Sequence, residues 1–231
     1  MARVAVEEGI GRLAATPHNL RWAPGTDRSA LEDRVAELQG HLSAQGLPVE
    51  VVLGAEMALI PALPQQIDAG EFVSLNGSRY LLLELPYYGL PHKLEEIVLE
   101  VQARGLVPIL AHPERNADLQ RRLQRLQGMV ERGLRIQITA GSLEGHFGGA
   151  ARRAARCLLA ANLAHVIASD AHNPQARAPR LARAQALAAE IAGPERAEAL
   201  VSANPAAILD DRPLEVEPPL PPRRWLWFWW G

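Results

Sequence analysis

Cysteine is almost missing: Cys157 alone occurs in 231 residues. That excludes an internal disulfide framework and fits a reducing compartment. In the run AARRAARCLLAANL, its apolar surroundings suit a small packing side chain better than a nucleophile. No apolar stretch reaches the ~18 residues that cross a bilayer, and the opening residues do not read as a signal peptide. Cytoplasm is therefore the expected location. An excess of basic charge is also lacking, since 24 Lys+Arg face 26 Asp+Glu for a formal net of −2. Nothing in that balance argues for nucleic acid as the main partner. Nor does the chain carry a C-x₅-R phosphate loop, a G-x-S-x-G turn or a P-loop, so no covalent-catalysis motif competes for the site.

What remains is a chain that is 48% hydrophobic and long enough for one sizeable domain with a full core. Short apolar runs recur at 12–16, 49–54, 80–84, 107–111, 135–139 and 165–169. Between them lie segments at helical spacing. Leu31, Val35, Leu38 and Leu42 trace one face of a helix over 28–43. Leu94, Ile97, Val98 and Val101 trace another, which stops at Gly105, a residue suited to a left-handed turn. Further helices are predicted over 117–132, 149–162 and 179–192. Apolar strands alternating with helices predict an α/β fold with a mostly parallel sheet. Six repeats favour a barrel or barrel-like arrangement, although spacing alone does not choose between that and an open sheet.

Polar residues follow these runs with regularity. RLAATPH ends at His18, VVLGAE at Glu56 and LLLE at Glu84. AHPER supplies His112 and Arg115, and VIASDAH supplies Asp170 and His172. Parallel α/β barrels gather active sites at the C-terminal ends of their strands, so five separate runs aim His or carboxylate groups at one rim. Three His and three carboxylates suit Mn²⁺, Fe²⁺ or Zn²⁺. Carboxylates can bridge cations ~3.5–4 Å apart, which favours a multinuclear site that activates water and neutralises a phosphate ester. Arg115 and Arg177 lie close in sequence to these residues, and a guanidinium can grip a phosphoryl group through two hydrogen bonds.

Structural readings compete. Glu84 could pair with a nearby Arg, and His112 could cap the turn that follows it. Asp170 and His172 are the hardest to explain that way, because two polar groups closing an apolar strand need partners. His41 is expected on a solvent face, His92 where a loop enters a helix, and His165 at a strand start on the opposite rim. His146 could border the pocket but is not counted as a ligand.

In order, the segments AATPH, GAEM, LLLELP, AHPER, TAGSLEGHFG and SDAHNPQARAP resemble the PHP-superfamily protein-tyrosine phosphatases of bacterial capsule and exopolysaccharide operons. The resemblance implies a distorted TIM-like (β/α) barrel with a cluster of metals, often manganese, with iron or zinc as alternatives. It implies that His18, Glu56, Glu84, His112, Asp170 and His172 are metal ligands, and that Arg115 and Arg177 bind or orient phosphate. The implied reaction is hydrolysis of phosphotyrosine on a tyrosine autokinase that controls polysaccharide synthesis. Family members open with a strand and an H-x-H pair followed by an acidic residue. This sequence starts with MARVAVEEG, which reads as the second half of an uncapped helix with Val4 and Val6 turned inward. The expectation is a domain over 1–210 lacking its first strand, binding metal incompletely and with little activity when taken alone.

Two further readings stand beside this one. The first is a small-molecule phosphoesterase of the histidinol-phosphatase or nucleotide-phosphate type, and the second is an inactive module that docks on the kinase. The tail over 211–231 is Pro-rich and then runs RRWLWFWWG, holding four of the five tryptophans. The Pro segment reads as an extended spacer. Its aromatic end is either a disordered hydrophobic end or a peripheral membrane anchor with Arg223 and Arg224 facing headgroups. The oligomeric state is left open, a homo-oligomer included.

Overall fold

The apolar runs become strands because their β-branched and leucine side chains fill both faces of a covered sheet. The computed structural model describes residues 1–19, 27–86 and 88–220. Seven strands occur there: β1 (Arg12–Ala15), β2 (Glu50–Leu53), β3 (Glu56–Ala58), β4 (Tyr80–Glu84), β5 (Val107–Ala111), β6 (Arg135–Thr139) and β7 (Val166–Ala168). The helices are α1 (Ala2–Glu7), α2 (Arg28–Ala44), α3 (Leu63–Asp68), α4 (Leu94–Ala103), α5 (Gln124–Glu131), α6 (Ala140–Glu144), α7 (Gly148–Ala160), α8 (Ala182–Ala192), α9 (Pro194–Val201) and α10 (Ala203–Leu209). This is the expected α/β fold. β1 pairs with β2, β3 to β7 pair in sequence order, and all these pairings are parallel. A parallel bridge from His18 to Glu56 joins the two ladders.

Alternation along the strands sorts the core into two parts. Leu81, Leu83, Leu110, Ile136, Ile138 and Ile167 belong to a large cluster packed under helices α4, α5, α7 and α8. Tyr80, Leu82, Ile109, Ala111 and Val166 form a much smaller cluster on the opposite face, with Ile208 of α10 and Leu75. Most of the core therefore lies on the helix-covered face of the sheet, and little of it on the other.

Several expectations change in detail. The run at 49–54 does not carry through to Glu56. It breaks at Gly54, where a Cβ would stand 2.7 Å from Leu75 Cδ2 and 3.2 Å from Thr16 Cγ2. The chain then resumes as β3, a strand the sequence reading missed, and Glu56 opens it rather than ending β2. On α2, Leu31 and Leu42 are buried but Leu38 is 44% exposed, so the expected apolar face is narrower. In α1 the fully buried residue is Ala5, with Val4 and Val6 only half-buried. The helix expected over 117–132 begins later, at Gln124, because Asn116 Oδ1 accepts from the N–H groups of Asp118 and Leu119 and holds a turn there. The short helices α3, α6, α9 and α10 were not foreseen.

Among the described residues, the Pro-rich stretch to Leu220 has neither helix nor strand and is fastened to the domain. The Leu220 N–H donates to Ala161 O at 2.9 Å, and Asn162 Nδ2 donates to Glu217 Oε2 and Pro218 O. The RRWLWFWWG segment lies outside the described residues. Among those described, no helix is long and apolar enough to cross a membrane.

His165 sits just before β7, at the rim opposite the strand C-termini, as expected. It is 2% exposed, and Nδ1 accepts the Ile136 N–H at 3.0 Å. Burial, followed by the charges of Arg135 and Arg196, pushes its pKa down to about 3. The folded protein therefore keeps this imidazole neutral while the unfolded chain takes up a proton below its ordinary pKa of about 6.5. Stability from this group is complete above that value and falls as pH drops towards 3, by up to ~1.4 kcal/mol per pH unit. Denaturant unfolding between about pH 7 and pH 4.5 should show a shallower pH slope in His165→Gln than in the parent. Identical slopes would contradict the buried neutral histidine.

Candidate metal centre

The strand register sets which side chains meet. Glu56 pairs with Leu82, and Ala58 with Glu84, so both carboxylates share the inner face with Leu82. The bridge from His18 to Glu56 brings the first histidine to the same place. Ala111, the last residue of β5, already faces inward beside Glu84, so simple alternation would turn His112 away. His112 instead takes φ 34°, a left-handed backbone that re-aims its ring into the site. Asp170, beyond β7, also has left-handed backbone at φ 48°, although alternation from Val166 already points it inward.

Four of the six expected ligands form one contact cluster. His18 Nδ1 lies 2.9 Å from Glu56 Oε2 and 2.7 Å from Glu84 Oε2. His112 Nε2 lies 3.4 Å from Glu56 Oε1 and 3.9 Å from Glu84 Oε1. Ligand atoms of His18, Glu56 and Glu84 all fall within 4.8 Å of one another, a span one cation can fill. Burial pushes the Glu56 carboxyl up, but the imidazoles of His112, His18 and His172 outweigh it and hold its pKa below the usual range. For His112, burial lowers the pKa, and the Glu56 carboxylate more than reverses this. The partners expected from the structural readings are not the ones found: Glu84 faces His18, and His112 makes no side-chain cap.

Asp170 and His172 stand beside this cluster. The His18 and His172 rings are 6.3 Å apart, and His172 Nδ1 is 3.0 Å from the Asp170 carbonyl oxygen. Both predicted arginines converge on Asp170 Oδ2, Arg115 at 2.7 Å and Arg177 at 2.5 Å. This carboxylate is only 8% exposed, so two guanidiniums neutralise what burial would otherwise penalise. Arg177 Nε is buried without a partner among the described residues, an unspent donor at the edge of the site. The donor set of imidazoles and carboxylates, packed this closely, fits a divalent cation.

Sequence reasoning missed the residues that hold these loops. Glu114, within AHPER, is fully buried, and its Oε1 accepts from the Thr139 N–H at 2.9 Å and Ser142 Oγ at 2.7 Å. It ties the His112 loop to the start of α6, and burial raises its pKa. Asn173 Oδ1 accepts from the N–H groups of Gln175 and Arg177 and closes the turn that returns Arg177 to Asp170. The Asn-Pro pair at 173–174 is a turn signal that could have revealed it. Asn116 Nδ2 donates to Pro86 O and Gly89 O and pins the loop after Glu84. The histidines set aside stay outside the cluster: His41 is exposed on α2, His92 is exposed ahead of α4, and His146 is exposed and 3.6 Å from Glu144.

The chain is similar to known proteins over most of its length. The family model described as "Capsular polysaccharide synthesis, CpsB/CapC" matches residues 1–210. Tyrosine-protein phosphatase YwqE of Bacillus subtilis (strain 168) is 35% identical over 177 residues, 77% of this chain and 70% of its own length. Tyrosine-protein phosphatase CpsB of Streptococcus pneumoniae is 24% identical over 210 residues, 89% of this chain and 86% of its own. A solved chain from the "Crystal structures of YwqE from Bacillus subtilis and CpsB from Streptococcus pneumoniae, unique metal-dependent tyrosine phosphatases" superposes with a TM-score of 0.90. It is 32% identical, and the match covers 97% of this chain and 90% of that one.

The geometry predicts that Glu56→Gln, which keeps the side-chain shape but removes the charge, weakens divalent-cation binding at least ~10-fold. Calorimetric titration with Mn²⁺ checks this. Unchanged affinity would place the cation elsewhere.

Proposed function

Because the chain belongs to the CpsB/CapC family of capsular polysaccharide synthesis proteins, we propose that it hydrolyses phosphotyrosine on a bacterial tyrosine autokinase and thereby regulates capsular or exopolysaccharide synthesis. The observation that carries this reading is the pairing of a part-buried His/carboxylate cluster with two arginines on one rim. Its relatives in that family are named as tyrosine phosphatases, and the solved chain is described as metal-dependent.

In this reading His18, Glu56, Glu84, His112, Asp170 and His172 hold divalent cations. Manganese is the metal proposed, with iron or zinc chemically acceptable to the same nitrogen and oxygen donors. Bound there, the metal supplies an activated water and neutralises charge on the phosphate ester. The chain's own contribution is to bind and orient. Arg115 and Arg177 present planar donors to the phosphoryl oxygens, and their shared contact with Asp170 supports a grip next to the residues that would hold the cations. The protein acts in the cytoplasm in this account, with the RRWLWFWWG segment bringing it to the membrane surface.

A Mn²⁺-dependent assay should show higher kcat/KM on a phosphotyrosine peptide than on histidinol phosphate or nucleoside monophosphates, with turnover abolished by chelator. Equal rates on the small substrates would overturn the protein-phosphatase reading. For the tail, deleting 223–231 should reduce co-sedimentation with anionic liposomes. Equal sedimentation of both forms would remove the membrane anchor.

A further inference from the structure

Phe147 belongs to neither apolar cluster of the fold. It is half-buried at the loop before α7, and its ring meets two charged side chains. The Arg115 guanidinium carbon stands 4.2 Å from the ring centroid and that of Arg177 5.6 Å, both within the ~6 Å reach of a cation–π contact. These are the same two guanidiniums that converge on Asp170 Oδ2.

The surrounding motif is built to present this ring. The chain leaves α6 through Gly145 at φ 91° and enters α7 through Gly148 at φ 88°, backbone that a residue with a Cβ resists. The His146 N–H donates to Gly141 O at 2.8 Å and closes the loop back on α6. A Cβ at Gly141 would stand 3.0 Å from Phe147 Cε2 and 3.3 Å from His146 Nδ1, so that glycine leaves room for the ring. Three glycines of TAGSLEGHFG thus serve the position of one aromatic side chain.

We propose that Phe147 is a positioning residue for phosphate binding, its ring fixing the Arg115 guanidinium, and at longer range that of Arg177, in the orientation that grips the phosphoryl group. A guanidinium on a long side chain has many rotamers, and each one it visits away from the site weakens the grip. Asp170 restrains each group at one edge, and Phe147 restrains its face. An aromatic surface does this from the face of the guanidinium, without itself taking up an N–H donor. The inference rests on the reading of Arg115 and Arg177 as phosphate-binding residues.

The test compares Phe147→Leu, which keeps an apolar side chain without the π face, with Phe147→Tyr, which keeps that face. In the manganese-loaded protein, Phe147→Leu should weaken binding of inorganic phosphate about tenfold by calorimetry and raise KM for a phosphotyrosine peptide in parallel. Its kcat, metal content and Tm should stay near the parent's, and Phe147→Tyr should restore both phosphate affinity and KM. Parent-like phosphate binding in Phe147→Leu, equal impairment in both variants, or a loss of metal or Tm in Phe147→Leu would each overturn the proposal. Arg115→Ala separates the two levels. If it leaves phosphate affinity unchanged, the arginine reading has failed; if it weakens phosphate while Phe147→Leu does not, only the role of Phe147 has failed.

Discussion

Buried carboxylates at the open ends of parallel strands must be neutralised, and the site is arranged around that constraint. Glu56 is 4% exposed and the Asp170 side chain 8%. An isolated ionised carboxylate so placed would cost several kcal/mol, so each has cationic or cation-forming neighbours. Around Glu56 they are His18, His112 and His172, which together hold its pKa down against burial. Around Asp170 they are Arg115 and Arg177. The two carboxylates divide the rim into a histidine-rich half, suited to cations, and an arginine-rich half, suited to phosphoryl oxygens. His172 belongs to both, hydrogen-bonded towards Asp170 and acting on Glu56 through space.

The scaffold has to deliver these groups from five separate segments. Parallel pairing does part of this, because register alone puts Glu56 and Glu84 on the inner face. Alternation fails at the strand ends, where consecutive residues would point to opposite sides. Left-handed backbone at His112 corrects it, at a strain of order 1–3 kcal/mol. Polar anchors, one of them the buried Glu114, hold these loops in place. Glu114 clamps the His112 loop to α6, and Asn173 closes the loop that carries Arg177.

Much of this was legible in the sequence. The six apolar runs are strands, because β-branched and leucine-rich runs of that length declare themselves without tertiary help. The face of Leu94, Ile97, Val98 and Val101 is buried as its spacing predicts. The gathering of His18, Glu56, Glu84 and His112 followed from their recurrence after such runs. What escaped depends on contacts that spacing does not encode. β3 follows a break at Gly54, where Leu75 and Thr16, from distant parts of the chain, leave no room for a Cβ. Helices α3, α6, α9 and α10 span five to eight residues, too short for a periodic signal. Glu114 looked like part of a motif tail, and only its burial between Thr139 and Ser142 shows what it ties together.

The central claim is that the histidine-rich half of this rim is a cation site lying beside an arginine pair. Anomalous diffraction from crystals of the protein grown with Mn²⁺ tests it most directly. The account predicts an anomalous peak ~2.0–2.2 Å from ligand atoms of His18, Glu56 and Glu84. A manganese peak elsewhere on the protein, with none among those three side chains, would contradict it.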